Sequence, residues 1–203
     1  NTTQAADAIQ LLAQNGATAD QIMGGLAEST VALANATGAQ FSTAADVASG
    51  ILKVFNLEAK DMGQAIDGIT GVVNQSKFTI DDYAQAFSQA GSVAAGMGVS
   101  LQDFNTVITA TSNSFTSGSD AGTSFKTLLQ RLANPTDEVK AATEKYGISL
   151  FDATGNMRPL AEVAGQLNTV LQGTATITST VGGATKEQAA AAERASKGIS
   201  KLT

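Results

Sequence analysis

The stretch GISLFDATGNMRPL, residues 147–160, is the one place where the sequence stops predicting helix and turns back on itself. Gly147 follows a short charged helical pattern and suits the left-handed position that ends a helix. Residues 148–151 alternate loosely and include a β-branched residue, so we expect a short extended segment there. Pro159 suits the first position of the next helix, because its missing N–H would have no partner there.

The centre of this stretch predicts a tight turn. Asp152 can accept a hydrogen bond from the backbone two residues on, and either Gly155 or Asn156 can take a positive φ at little steric cost. We therefore expect one short β-hairpin or turn near residues 148–158. A ribbon this short is marginal alone and must rest on helices. The simplest interpretation of the stretch is a connector between helices.

Five segments elsewhere in the chain begin with a common start signal. Ser or Thr is followed three residues later by Asp or Gln, which resembles the capping box of a helix N-terminus. Apolar residues then recur at the i, i+3, i+4, i+7 spacing that gives a helix one buried face. The predicted helix caps are Thr18, Thr43, Thr79, Ser100 and Ser117.

Glycine, rather than proline, separates most of these segments, as at Gly16, Gly38 and Gly98. Because Gly costs about 1 kcal/mol relative to Ala inside a helix, we expect short helices that fold back on one another as antiparallel neighbours. The predicted fold is therefore all-α, a compact bundle of short antiparallel helices.

The composition changes after residue 173, which predicts three parts. Residues 1–173 form the helical domain, whose last helix we expect to run from Pro159 to Gln172 and to end at Gly173. Residues 174–186 are rich in Thr, Ser and Gly and predict a linker. Residues 187–203 are rich in Ala and predict a helical tail. Because the sequence begins with Asn rather than Met, we also expect it to be part of a longer chain.

Composition excludes several classes of function. The net charge of −6 argues against nucleic acid as a direct ligand, since binding phosphates needs clustered Lys and Arg. Without His or Cys, the usual general bases, catalytic triads and zinc sites are missing. The adjacent acids Asp81 and Asp82 are better explained as partners of a helix N-terminus than as a catalytic pair. We predict no catalytic, cofactor-binding or metal-binding residues, and a protein that is not an enzyme.

Three long stretches, residues 37–113, 118–135 and 146–167, resemble the core region of the phage tail tape measure protein family. The most specific pieces are GSDAGTSFK at 118–126, followed by LLQRL, and FDATGNMRPL at 151–160. The resemblance runs from about the first helix to residue 173. Beyond it the family usually continues into another helix with a Phe-Gly dipeptide, which TATITSTVGGATKEQ lacks.

The resemblance implies a structural virion protein that occupies the lumen of a long phage tail, sets its length during assembly and leaves through the tail tip during genome ejection. It implies self-association into a homo-oligomer such as a trimer, contact with tail tube and tail-tip (distal tail or hub) proteins, and tail assembly chaperones as partners. The implied location is the tail lumen or tip of the virion, with the host cytoplasm during assembly, and membrane contact after ejection.

Two other classes of protein compete with this interpretation. Gly- and Ala-rich amphipathic helices could enter a bilayer after ejection as part of a conduit for DNA, although the basic face that attracts anionic lipid is missing. No run of eighteen apolar residues predicts a membrane span. A cell-wall hydrolase would need a pair of acids or a metal set that the sequence does not supply.

Overall fold

The computed structural model describes the backbone of residues 2–180 and the side chains of residues 6–172. Within residues 2–180 the chain is helical and contains no strand, which confirms the all-α prediction. A π-helical turn, Ile22–Leu26, joins the second and third helices, and 3₁₀ turns flank two others at Ala59–Asp61 and Ser112–Ser114. The helices are α1 Thr2–Gln14, α2 Ala19–Gln21, α3 Ala27–Thr37, α4 Phe41–Val54, α5 Met62–Gln75, α6 Ile80–Gly96, α7 Leu101–Thr111, α8 Gly118–Ala133, α9 Asp137–Tyr146 and α10 Leu160–Thr180.

The described residues divide into two compact units. The first comprises residues 2–96 and 100–126, and the second comprises residues 97–99 and 127–180. In the first unit α3 packs against α1, α4 and α5, α4 packs against α6, and α5 packs against α6 and α7. Helices that follow one another in sequence or nearly so are therefore neighbours in space.

An aromatic cluster forms the centre of the first unit. Phe104 is fully buried, and the ring centroids of Phe55, Tyr83, Phe87 and Phe125 lie 5.9–6.2 Å from its own. Aromatic pairs at such separations stabilise a core by about 0.5–1.5 kcal/mol beyond their buried area. A chain with only 5% aromatic residues thus concentrates five of them at one point.

The expected β-hairpin near residues 148–158 is not formed. Within residues 2–180 the only strand-like pairing is an isolated antiparallel bridge between Phe151 and Met157. The ladder stops because Ser149 gives its N–H to Oε1 of Gln166 (2.7 Å), while its carbonyl accepts from Nε2 of the same side chain (3.3 Å). Pro159, opposite Ser149 in this register, has no N–H to donate. The alternative that we named, a turn, is what the chain adopts.

Of the two helices that flank this turn, α9 ends where the sequence predicts, whereas α10 does not. Gly147 follows α9 in the left-handed conformation, with φ of 65°. Pro159 lies one residue before α10, and its carbonyl accepts the N–H groups of Glu162 and Val163. Helix α10 passes through residue 173 and continues to Thr180, because one interior Gly costs only about 1 kcal/mol.

The expected helix end at Gly173 was therefore wrong, and residues 174–180 of the predicted linker are helical. Residues 181–203, including the predicted tail at 187–203, lie outside the described residues. None of the helices described between residues 2 and 180 combines the length and the hydropathy needed to cross a bilayer.

Candidate functional site

The motif GSDAG, residues 118–122, forms the start of α8 and lies directly against α6. A Cβ atom on Gly118 would lie 1.8 Å from the carbonyl oxygen of Asp82, and one on Gly122 would lie 2.5 Å from the carbonyl oxygen of Ala86. Since residues four apart share one face of a helix, the two glycines form a single contact surface. Only glycine allows the two backbones to approach this closely.

The carboxylate of Asp82 links the beginnings of α6 and α8. Its Oδ2 accepts hydrogen bonds from the N–H (3.0 Å) and the hydroxyl (2.8 Å) of Thr79, and its Oδ1 accepts one from the N–H of Gly118 (3.1 Å). Thr79 Oγ1 accepts the N–H of Asp82 (3.2 Å) in return. Burial raises the pKa of Asp82, but these hydrogen bonds and the charge of Lys77 outweigh burial and hold the pKa below its ordinary value.

Three other predicted cap residues also accept hydrogen bonds at helix starts. Thr18 Oγ1 accepts the N–H of Gln21 (3.2 Å), and Gln21 Oε1 accepts the N–H of Thr18 (3.0 Å), which completes a capping box. Ser100 and Ser117 each accept the N–H three residues on, at 3.0 and 3.1 Å. These bonds satisfy backbone donors that would otherwise have no partner inside the helix.

The predicted cap at Thr43 was wrong. Helix α4 begins at Phe41 after the extended residue Gln40, so Thr43 lies inside the first turn. Its hydroxyl donates instead to Oδ1 of Asp81 (3.3 Å). The reason is that Gly38 ends α3 in the left-handed conformation, and the chain enters the next helix after only two connecting residues.

The turn after Phe151 is organised by one carboxylate oxygen. Asp152 Oδ1 accepts the N–H (2.8 Å) and hydroxyl (2.6 Å) of Thr154 and the N–H of Asn156 (3.0 Å), and the hydroxyl bond contributes most to lowering the pKa of Asp152. Gly155, and not Asn156, takes the positive φ of 86°. The sequence indicated Gly98 only as a break between helices and did not indicate its contact with this turn, where a Cβ on Gly98 would lie 2.7 Å from that of Asn156.

An open groove of about 730 Å³ follows the seam between α5 and α7. Glycines on α5, at Gly68 and Gly71, contribute to its wall, and Asp61 and Asp67 are its acidic residues. Asn105 of α7 also lines it, although only 7% of its surface is exposed. Sequence reasoning missed this groove, since its residues belong to two separate patterns and none is of a reactive type.

Within residues 2–180 no cluster of three or more Asp or Glu residues is placed to hold a metal ion. The sequence profile of a family described as "Phage-related minor tail protein" matches residues 1–199 of the chain. The chain belongs to this family. The resemblance to a phage tail family that the sequence motifs indicated is confirmed.

Two curated relatives of this chain are long. The tape measure protein of Pneumococcus phage Dp-1 is 30% identical over 170 residues, which cover 84% of this chain and 15% of the relative. A probable tape measure protein of Escherichia phage P2 is 28% identical over 111 residues, which cover 55% of this chain and 14% of the relative. No solved structure matches this chain significantly.

Family membership gives this chain a structural role in the phage tail, and at the level of the family this role is not enzymatic. It also places the chain in the tail of the virion. The matched part spans only about one seventh of the length of each relative.

Proposed function

We propose that this chain is the folded segment of a tape measure protein. The whole protein sets tail length during assembly, lies in the tail lumen and is released at the tail tip during genome ejection. The proposal is supported by the family match and by two relatives whose names are tape measure protein and probable tape measure protein.

The observation that carries the proposal is that the helices of this segment are short and fold back. A single helix of 203 residues would reach about 300 Å, whereas α10, with 21 residues, reaches about 30 Å. The close contact of Gly118 and Gly122 with α6 cannot form in an extended rod. We infer that tail length is measured by an extended part of the protein outside these residues, and that the folded segment serves as a docking point.

The partners that fit this role are other tail proteins. We propose contacts with tail tube and tail-tip proteins, with assembly chaperones while the tail is built in the host cytoplasm, and with further copies of the chain. Self-association would add buried area to a core that includes many Ala side chains, each of which has few CH₂ groups to bury. Sedimentation of the purified chain over a range of concentrations would show whether a trimer or another oligomer forms.

Deletions that preserve the reading frame test whether the extended part measures length and the folded segment serves for docking. In the phage that encodes this chain, deletions in the extended part should shorten tails in proportion to the residues removed. Deletions within residues 37–173 should abolish tail assembly, because they destroy a fold rather than shorten a rod. Tails would be measured by electron microscopy. Tails that shorten in proportion to deletions within 37–173 would contradict the proposal.

A pair of point variants separates misfolding of the segment from changes in length. Gly122→Leu forces a large side chain into the α6 contact, whereas Gly165→Leu places the same side chain at an exposed position of α10 with no atom within 4 Å. We expect the first variant to yield no tails and the second to yield tails of normal length. Shortened but complete tails from Gly122→Leu would argue for a measuring role of the segment itself.

A further inference from the structure

The groove between α5 and α7 combines features of a binding site for a polypeptide backbone. Both helices belong to the first unit, and the groove is bordered on α5 from Asp61 to Gln75. At 1.5 Å per residue this border is about 21 Å long, which matches about six residues of extended chain at 3.3 Å each. Gly68 and Gly71 leave the wall without side chains at two positions, so a backbone can approach the helix closely.

Asn105 presents an unused hydrogen-bond donor to this groove. Its Oδ1 accepts the hydroxyl of the fully buried Tyr83 (2.7 Å), which fixes the orientation of the amide. Its Nδ2 lies 3.0 Å from where a Cβ on Gly68 would be, beside the wall of the groove. No acceptor for Nδ2 occurs among the hydrogen bonds of the side chains described for residues 6–172. Since every buried side-chain nitrogen and oxygen atom of the described residues has a partner, Nδ2 is open to the groove, where a ligand carbonyl would take the place of water.

The other polar groups around the groove narrow the chemistry of the occupant. Gln64, Gln75 and Gln102 offer both donors and acceptors, as an extended backbone requires. Among the described residues, the charged groups that line the groove are Asp61 and Asp67, about 9 Å apart along the helix, with no Lys or Arg beside them. The same part of the chain contributes no aromatic residue to the lining, so it offers no platform on which a ring could stack.

We propose that this groove binds an extended, basic peptide segment of a partner protein. The backbone of the segment lies along Gly68 and Gly71, one of its carbonyl groups accepts from Nδ2 of Asn105, and basic side chains about three residues apart reach Asp61 and Asp67. This assignment rests on the chain itself and not on the proposed measuring role of the whole protein.

Titration of the isotope-labelled 203-residue chain with a capped nonapeptide, SAKASKASA, followed by ¹⁵N NMR, tests the proposal. We expect shifts of the backbone amides of Gly68 and Gly71 and of the side-chain amide of Asn105. The affinity should be about tenfold lower for SAEASEASA, since its charges oppose those of the groove. Asp67→Lys should weaken binding of the Lys peptide about tenfold, and Asp7→Lys, at an equivalent mid-helix exposed position of α1, should leave it unchanged.

A second pair of variants tests the backbone path. Gly71→Leu should block the groove, because a Cβ there meets only the flexible end of Gln75 at 3.7 Å and the variant can fold. Gly63→Leu, on the same helix with open space around it, should bind normally. The proposal is overturned if no groove signal moves at about 1 mM peptide, if both peptides bind equally, or if the same signals move when the protein alone is concentrated. The last result would make a second copy of the chain the occupant.

Discussion

Replacing Gly122 by Ala tests whether α8 crosses α6 as closely as the structure shows. The added Cβ would lie 2.5 Å from the carbonyl oxygen and 2.8 Å from the Cα of Ala86, against 3.4–4 Å for ordinary contacts. The helices must therefore separate by about 1 Å, which loosens packing on both sides. Ala favours a helix interior by about 1 kcal/mol over Gly, but overpacking costs about 1–3 kcal/mol. We expect a net loss of about 1 kcal/mol, and a larger loss for Gly118→Ala, whose Cβ would overlap Asp82 at 1.8 Å.

Urea denaturation followed by far-UV circular dichroism measures this loss as a lower midpoint at unchanged slope. Gly71→Ala is the matched control in the same unit, because its Cβ would make an ordinary 3.7 Å contact with Nε2 of Gln75. In that control the free energy of unfolding should rise by up to about 1 kcal/mol. The expectation is thus a difference of sign between two identical substitutions. If Gly122→Ala stabilises the chain as Gly71→Ala does, the close crossing is refuted.

Three further predictions concern polar groups of the first unit. Because the folded-state pKa of Asp82 is lowered, its carboxylate adds to the free energy of unfolding above about pH 4, and this stabilisation is lost as the pH falls through the folded pKa. In chemical denaturation, the free energies of unfolding of the wild type and of Asp82→Asn should therefore differ near neutral pH and converge in acid. A difference that stays constant with pH would contradict this. Thr79→Ala should lower the free energy of unfolding by about 1 kcal/mol, because it removes a helix cap. In the same assay Thr43→Ala should change the free energy of unfolding by no more than about 0.5 kcal/mol. Equal losses would show that Thr43 is a cap after all. Tyr83→Phe should cost about 1–3 kcal/mol in thermal or urea unfolding, because it leaves the buried Oδ1 of Asn105 without its donor, and a neutral result would show that the pair is not formed.

Four of the five predicted caps accept a hydrogen bond at a helix start, and local chemistry could predict them because a cap depends on residues three apart. Thr79 and Ser100 could be identified without knowledge of the rest of the chain, since the N–H that each hydroxyl accepts belongs to the same turn. Thr43 shows the limit of such reasoning. The same spacing of Thr and Asp occurs inside a first turn, and the true start at Phe41 follows from the point at which the preceding helix ends.

Features that depend on packing could not be predicted in this way. From the sequence, Gly118 was the residue after the predicted cap at Ser117, and nothing indicated that the carbonyl of Asp82 on another helix requires a glycine there. Likewise, the β-hairpin was expected from the pattern of residues 148–151, but Gln166 binds the backbone groups of Ser149, seventeen residues before it, that a β-ladder would need. In both cases a distant partner decides the local structure.

The two motifs that most specifically indicated the family share a physical property. Gly118 and Gly122 allow one backbone to approach another, and Asp152 uses its carboxylate to satisfy the N–H groups of its own turn. Their polar atoms are occupied by the fold itself, so these residues hold a shape and present no reactive group to a substrate. Partner recognition is assigned instead to the groove beside Asn105, whose Gly, Gln and Thr lining has no distinctive spacing. For this reason the sequence could reveal the family of the chain but not the surface through which it binds a partner.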